Sequence, residues 1–362
     1  CVHHDWYRLL AKRLNMLKCI QYSDRLRDEW DHLALTYGTI FHTTAIRRIL
    51  LESFKYQCGY HAVVDGENRI AALLPMITGR NLSGKRVGVS LPFVNYLDIC
   101  ASSEEATDFV MQSLPAIQRN LSLSGIELRF KDRQIDSPAW RSCRNNVTFV
   151  LPLLADEEAT LAQTSGSCRN HVRKTYKNDW FVASFDRSRL ADFYKVYVRR
   201  MKQLGSPAPS LDFFAAFFQH LPENSFLLTV LDKATEQVVG GMLLLTSPGN
   251  STLYYPYGAN LVEYNHRYLN NFMYWEAVRF GIRQGMKFLD LGRSPVESGT
   301  YQFKQQWGAK PVPLQYLYSQ GETGGSGPSD RDRLRFFIEL WKKTPDFITE
   351  PVGRRLIRYV MP

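Results

Sequence analysis

No stretch of this 362-residue chain approaches the ~18 consecutive apolar residues that a membrane-spanning helix needs. Even Val238 to Leu245 is short and is interrupted by Gly240 and Gly241, so the chain is not expected to cross a bilayer by itself. Cysteine is sparse. The six residues, at positions 1, 19, 58, 100, 143 and 168, form no C-x-x-C pair, which excludes a zinc ribbon and a disulfide framework and points to a reducing, cytoplasmic setting. The opening Cys1-Val-His-His-Asp-Trp-Tyr7 lacks the apolar centre of a leader peptide, and without an initiator Met the start reads as trimmed. No third ligand stands at a sensible spacing from His3 and His4, so no metal site is expected. Acidic residues are in deficit: 35 Asp+Glu against 45 Lys+Arg leave a net charge of +10. That balance favours an anionic partner, whether nucleic acid, phosphorylated substrate or acidic membrane surface.

What is present is ordinary globular composition, 44% hydrophobic and 22% charged, over a length that suits two domains. An internal repeat supports the same division. In the first half an apolar strand ends at Asp65, turns at Gly66 into a strand over Ile70 to Thr78, and is followed by a strand around Arg86 to Leu91, a helix over Glu104 to Leu121 and a strand over Ile126 to Phe130. The second half repeats the order with strands over Phe226 to Asp232, Gln237 to Thr246 and Thr252 to Tyr257, a helix over Leu269 to Gln284, and a strand over Met286 to Leu291. Corresponding landmarks, Asp65 with Asp232 and Gly125 with Gly285, stand 167 and 160 residues apart. Two copies of one α/β unit with a mixed sheet are the economical reading. The expected domains are 1–147 and 148–325, followed by a basic amphipathic helical segment, 326–362, that packs on the first domain or touches anionic lipid. Gly321 to Pro328 reads as a surface loop, and its glycines do not fit a dinucleotide-binding turn.

The densest unusual stretch is Phe288-Leu-Asp-Leu-Gly-Arg-Ser-Pro295, followed by Gly299-Thr-Tyr-Gln-Phe-Lys-Gln-Gln-Trp-Gly-Ala309. A strand emptying into Gly292-Arg293-Ser294 sets a cation and a hydroxyl at its carboxyl end, where open α/β sheets keep their ligands. The next helix places Phe303 and Trp307 four residues apart on one side, with Lys304 one residue round. Trp307 suits the core. A lysine between buried aromatics needs a partner for its ammonium, which is either an acidic side chain or an anionic ligand such as a developing oxyanion. Arg169, Arg173 and Lys177 lie along one helical face, suited to nucleic-acid phosphates or simply to solvent. Period-two alternation points Tyr255 and Tyr257 the same way, towards the core or an acceptor cleft.

Gly292-Arg-Ser-Pro, Gly299-Thr-Tyr-x-Phe-Lys-x-x-Trp-Gly-Ala and Pro313-Leu-x-Tyr316 together resemble the FemAB-like proteins of the GNAT superfamily, in particular the branch associated with exosortase and PEP-CTERM systems. Phe41-His-Thr-Thr-Ala-Ile, Ala72-Leu-Leu-Pro-Met, Ser90-Leu-Pro-Phe, Leu204-Gly-Ser-Pro, Tyr257-Gly-Ala and Ile338-Glu-Leu-Trp-Lys-Lys-Thr-Pro345 are similar to that branch in the same order. The resemblance implies two tandem GNAT-like domains of mixed α/β fold with a C-terminal helix. It also implies transfer of an amino acid from aminoacyl-tRNA to an amine of a peptidoglycan-type or other cell-envelope precursor; with the cytoplasmic setting read from the cysteines, the basic terminal segment would give any peripheral contact with the inner membrane.

The resemblance implies that Phe303 and Lys304 contact the acceptor end of the tRNA and stabilise the reacting ester; beside them, Arg293, Ser294, Tyr301, Tyr255, Tyr257 and Lys202 are expected to line the substrate site. Arg169, Arg173 and Lys177 would meet tRNA phosphates. The chain departs from the branch at Lys202-Gln-Leu-Gly-Ser-Pro207, where the branch has Arg-Asp-Leu-Gly-Thr-Pro. Lysine cannot make the planar two-pronged contact of arginine. CoA is the less favoured donor, because Ala259 to Tyr268 and Ala101 to Glu105 lack the glycines that expose backbone N–H groups to a pyrophosphate. No tightly bound cofactor is expected. Two rivals stand beside this reading: an N-acyltransferase of exopolysaccharide synthesis using CoA or carrier-protein thioesters, and a noncatalytic assembly factor for exopolysaccharide export.

Overall fold

Proline at position 75 settles how the first strands divide, because it has no N–H to give a sheet ladder. The structure, a computed structural model, describes residues 17–319 and 337–360, excluding the side chains of 346 and 347. His3, His4, the Gly321 to Pro328 loop and the start of the basic terminal segment lie outside the described residues. Two compact units are present: one holds 17–143 together with 315–319, the other holds 144–314 and 337–360.

The first unit runs β1 (Lys18–Gln21), α1 (Arg27–Tyr37), α2 (Thr44–Phe54), β2 (Gln57–Cys58), β3 (His61–Val64), β4 (Ile70–Leu74), β5 (Ile77–Arg80), β6 (Arg86–Val89), β7 (Cys100–Ala101), α3 (Glu104–Asn120) and β8 (Gly125–Lys131). The single strand expected over Ile70 to Thr78 is therefore two. β4 pairs with β3 and β7, whereas β5, beyond Pro75, pairs with β2 and β6. Ser103 caps α3 by accepting from the Ala106 N–H, and the helix buries Val110, Leu114 and Ile117 against Ile126, Leu128 and Phe130 of β8. β6 and β8, on either side of α3, run parallel, with Val87 to Val89 opposite Gly125 to Glu127.

The second unit starts within β9 (Trp140–Pro152) and continues through α4 (Glu157–Ala162), α5 (Gly166–Lys177), β10 (Phe181–Ser184), α6 (Leu190–Leu204), α7 (Leu211–His220), β11 (Ser225–Asp232), β12 (Val238–Ser247), β13 (Thr252–Asn260), α8 (Leu269–Arg283), β14 (Phe288–Pro295), α9 (Gly299–Gln305), β15 (Lys310–Ser319) and α10 (Asp346–Val360). Its sheet order is β10-β11-β12-β13-β14-β9. β13 and β14 flank α8 as a parallel pair, as β6 and β8 flank α3. The duplicated order seen in the sequence thus corresponds to a duplicated strand-helix-strand unit.

Helices cover both faces of this sheet. A Cβ on Gly240 would lie 2.5 Å from Met273 of α8, and one on its neighbour Gly241 would lie 2.7 Å from Phe193 of α6. Successive residues of a strand face opposite ways, so α8 and α6 lie on opposite faces. The terminal segment, expected on the first domain, contacts the second unit. Ile338 fills the space beside Gly205, and Gly353 of α10 lies against Trp341 and Pro207. The reason is the buried stripe Thr349, Gly353, Ile357, which turns the small side of α10 towards α6 and the Gly205 to Pro209 breaker.

Gly241→Ala is expected to destabilise the chain by about 1–3 kcal/mol, since the new methyl would also meet the Leu228 carbonyl at 2.6 Å. Thermal unfolding of the full chain checks this; an unchanged midpoint would contradict the close approach of α6.

Candidate active site

Lys304 is 5% exposed, and its ammonium donates to the carbonyl oxygens of Gly292 at 2.8 Å and Arg293 at 3.0 Å. A regular strand cannot present two successive carbonyls to one donor, because they alternate in direction. β14 does so because it is bulged. Asp290 pairs with Val150 and Arg293 with Thr148, so Leu291 and Gly292 together face only Phe149. Gly292 has φ +74°, a conformation that a Cβ disfavours. Asp290, 3% exposed, holds the bulge from inside: one carboxylate oxygen accepts from the Gly292 N–H at 2.7 Å and from the Thr148 hydroxyl at 2.8 Å.

Burial lowers the Lys304 pKa to about 8, the Asp290 carboxylate opposes that fall, and the Arg293 guanidinium adds to it. The partner sought for this ammonium is therefore the main chain, supported by a nearby acid, and not an anionic ligand alone. Two of the three ammonium N–H bonds are accounted for by these carbonyls.

The same bulge fixes the neighbouring aromatics. Tyr255 donates to the Leu291 carbonyl at 2.7 Å and is hydrogen-bonded to Tyr274 of α8. Tyr274 stacks on Trp307, with ring centres 5.6 Å apart, and meets Phe303 edge-on at 5.1 Å. Burial raises both phenols, Tyr274 to about 12 and Tyr255 well above its ordinary value, so both remain protonated hydrogen-bond donors. Pairing of β13 with β14 stops at Tyr254 opposite Asp290, and Tyr255 bridges the two strands just beyond. Trp307 is wholly buried, as its spacing suggests, and its Nε1 has no hydrogen-bond partner. Ser294, also wholly buried, has an unpartnered hydroxyl. Tyr301 packs edge-on against Phe149 at 4.9 Å, and Arg293 is exposed at the end of the strand.

Other expected site residues lie elsewhere. Tyr257 does not share the direction of Tyr255, because Leu243 pairs with Tyr257 but Leu245 with Tyr254, leaving Tyr255 and Pro256 opposite Leu244 alone. This second bulge reverses the alternation, and Tyr257 enters an aromatic cluster with Tyr197, Phe213, Phe214 and Phe217. Lys202 lies on α6, over the opposite face of the sheet from α8, among Tyr194, Val198, Trp341 and Glu350. Arg169 donates to the carbonyls of Ala162 and Thr164, closing the turn after α4. Arg173, 61% exposed, lies 3.9 Å from Glu158, and Lys177 is exposed. Asp290 and Tyr274 were not among the expected residues; an aspartate within an apolar strand two residues before a glycine is the signal for the first, and none marks the second. Among the described residues, no group of three His, Cys, Asp or Glu is arranged to hold a metal, and no helix is long and apolar enough to cross a membrane.

Residues 163–305 match the acetyltransferase (GNAT) domain family. No curated protein matches the sequence. Similar solved structures include FemX, 13% identical over 83% of this chain and 96% of that chain, with a TM-score of 0.62. The C-terminal domain of a putative lysylphosphatidylglycerol synthetase from Agrobacterium fabrum is 11% identical over 87% and 95%, with a TM-score of 0.55. A tandem GNAT protein from the clavulanic acid biosynthesis pathway, solved without AcCoA, is 10% identical over 85% and 100%, with a TM-score of 0.54. At these identities the likeness is one of fold, and the fold is a tandem GNAT-like one.

Asp290→Asn is expected to lower the apparent pKa of Lys304 below about 8, because it removes the charge that opposes desolvation. NMR titration of the Lys304 side chain, assigned by comparison with Lys304→Met, reads the shift directly; no change or an upward shift would contradict the arrangement.

Proposed function

We propose that the chain is a transferase that moves an aminoacyl or acyl group from an activated ester onto an amine of a cell-envelope precursor, with aminoacyl-tRNA as the donor. The observation that carries this reading is the Lys304 ammonium, buried at a strand end and oriented by two carbonyls, whose third N–H would serve the donor. In the reaction the acceptor nitrogen bonds to the donor carbonyl carbon, whose oxygen gains negative charge. The carbon–oxygen ester bond then breaks, and the leaving ribose hydroxyl takes the proton that the amine loses. Such a step needs alignment and charge stabilisation more than a strong protein base. Lys304 would hold the oxyanion, with Phe303 beside the reacting group and Arg293, Ser294 and Tyr301 lining the approach. The buried, unpartnered Ser294 hydroxyl supports a ligand there, since leaving such a group unsatisfied costs about 1–3 kcal/mol.

The structural likeness to FemX and to a lysylphosphatidylglycerol synthetase domain supports an aminoacyl donor and an envelope acceptor. So does the segment before α8, which lacks glycines, and the bridging of β13 and β14 by Tyr255. A second reading, acyl transfer from a CoA thioester, is favoured by the acetyltransferase family match over 163–305 and by the tandem GNAT likeness. We place the protein at the cytoplasmic side of the inner membrane, with Arg173 and Lys177 available to tRNA phosphates.

Transfer assays with aminoacyl-tRNA and with acyl-CoA test both readings. Lys304→Met should reduce kcat by ~10²–10³ while the fold persists. With wild type, activity should be full below pH 8 and fall as the ammonium deprotonates at about 8. Undiminished transfer by Lys304→Met would overturn the role of Lys304, and complementation by that variant in cells would favour a noncatalytic assembly factor.

A further inference from the structure

Beside its buried stripe, α10 carries a second apolar pattern. Ile348, Val352, Leu356 and Val360 recur every four residues, and each is more than one-third exposed at 40%, 39%, 36% and 40%. Leu340, on the helical stretch over 337–343, is 52% exposed. The neighbouring stripe of the same helix, Thr349, Gly353 and Ile357, is buried against the second unit, so α10 is seated by one stripe and shows a second apolar stripe outward.

Basic residues flank the outward stripe. Arg354, Arg355 and Arg358 lie in its last two turns, and Lys342 and Lys343 precede the helix. Glu350 is bonded to Arg354 and Glu339 to Lys342, so the nearby carboxylates are already engaged by their own neighbours. The Arg358 guanidinium rests 4.7 Å from the centre of the Tyr359 ring, which gives that side an apolar body with a polar tip.

We propose that this face of α10 is a docking surface for an anionic lipid bilayer. The exposed stripe would enter the boundary between headgroups and acyl chains, and Arg355, Arg358 and Lys343 would meet lipid phosphates. Charge complementarity selects this occupant over a second copy of the chain, because self-association through the stripe would bring two arginine rows together. The docking surface is separate from Lys304, so it stands whether or not that residue acts in transfer.

Vesicle co-sedimentation of the full chain tests it. Vesicles of phosphatidylglycerol and phosphatidylcholine should bind the chain at low salt, pure phosphatidylcholine should bind at least tenfold less, and salt should release it. Val352→Asp with Leu356→Asp should lower binding to the anionic vesicles at least tenfold, and Arg355→Glu should weaken it severalfold. Thermal unfolding of each variant distinguishes loss of docking from loss of fold. Failure of the wild-type chain to bind anionic vesicles would overturn the proposal. So would unchanged binding by folded Val352→Asp/Leu356→Asp, or a wild-type dimer in solution that this double variant abolishes.

Discussion

Successive carbonyls of a regular β-strand point to opposite edges, so a side chain that needs two of them must have the strand deformed for it. β14 is deformed in this way. The left-handed turn at Gly292 and the inward hydrogen bond from its N–H to Asp290 aim the oxygens of Gly292 and Arg293 at one nitrogen, while the preceding carbonyl, Leu291, is taken by Tyr255. Three consecutive peptide groups are thus committed to side chains of β13 and α9 instead of to a neighbouring strand. The energetic logic is that of any buried cation: desolvation must be offset by several oxygens in good geometry, and the charge of the Asp290 carboxylate adds to that support.

Much of the architecture was legible because it rests on periodicity. The helices over 104–120 and 269–283 declare themselves by apolar residues at helical spacing and by Ser103 or Gly285 at an end. Strand alternation gave the ladders. Failures occurred where one residue changes the count. Pro75 turns one expected strand into two with different partners, and the extra residue at Tyr255–Pro256 sends Tyr257 into the aromatic cluster around Phe213. Period-two reasoning contains no register for an insertion, so it errs just past one.

The candidate site was legible in its side chains and hidden in its backbone. Phe288 to Pro295 and Gly299 to Ala309 stood out as a segment, and Lys304 with Trp307 could be placed on one short helix. That the ammonium would be met by peptide oxygens could not be read, since every residue carries a carbonyl and none advertises its direction. Lys202 and Arg169 illustrate the converse. Their charge suggested ligand contact, yet the first lies on the far helix layer beside Trp341 and the second closes a turn.

One feature of the chain path bears on how the protein is made. Residues 315–319, the last part of β15, belong to the first unit, where the Ser319 hydroxyl accepts from the Ile126 N–H at 2.9 Å and Leu317 joins the core under α3. The N-terminal unit is consequently discontinuous, and during synthesis on a ribosome it must wait with an open sheet edge beside β8 until residues 315–319 have emerged. Cutting the gene at the natural boundary would not yield an independent N-terminal fragment, and a nascent chain stalled before Gln315 would present that edge to chaperones or to other unfinished chains.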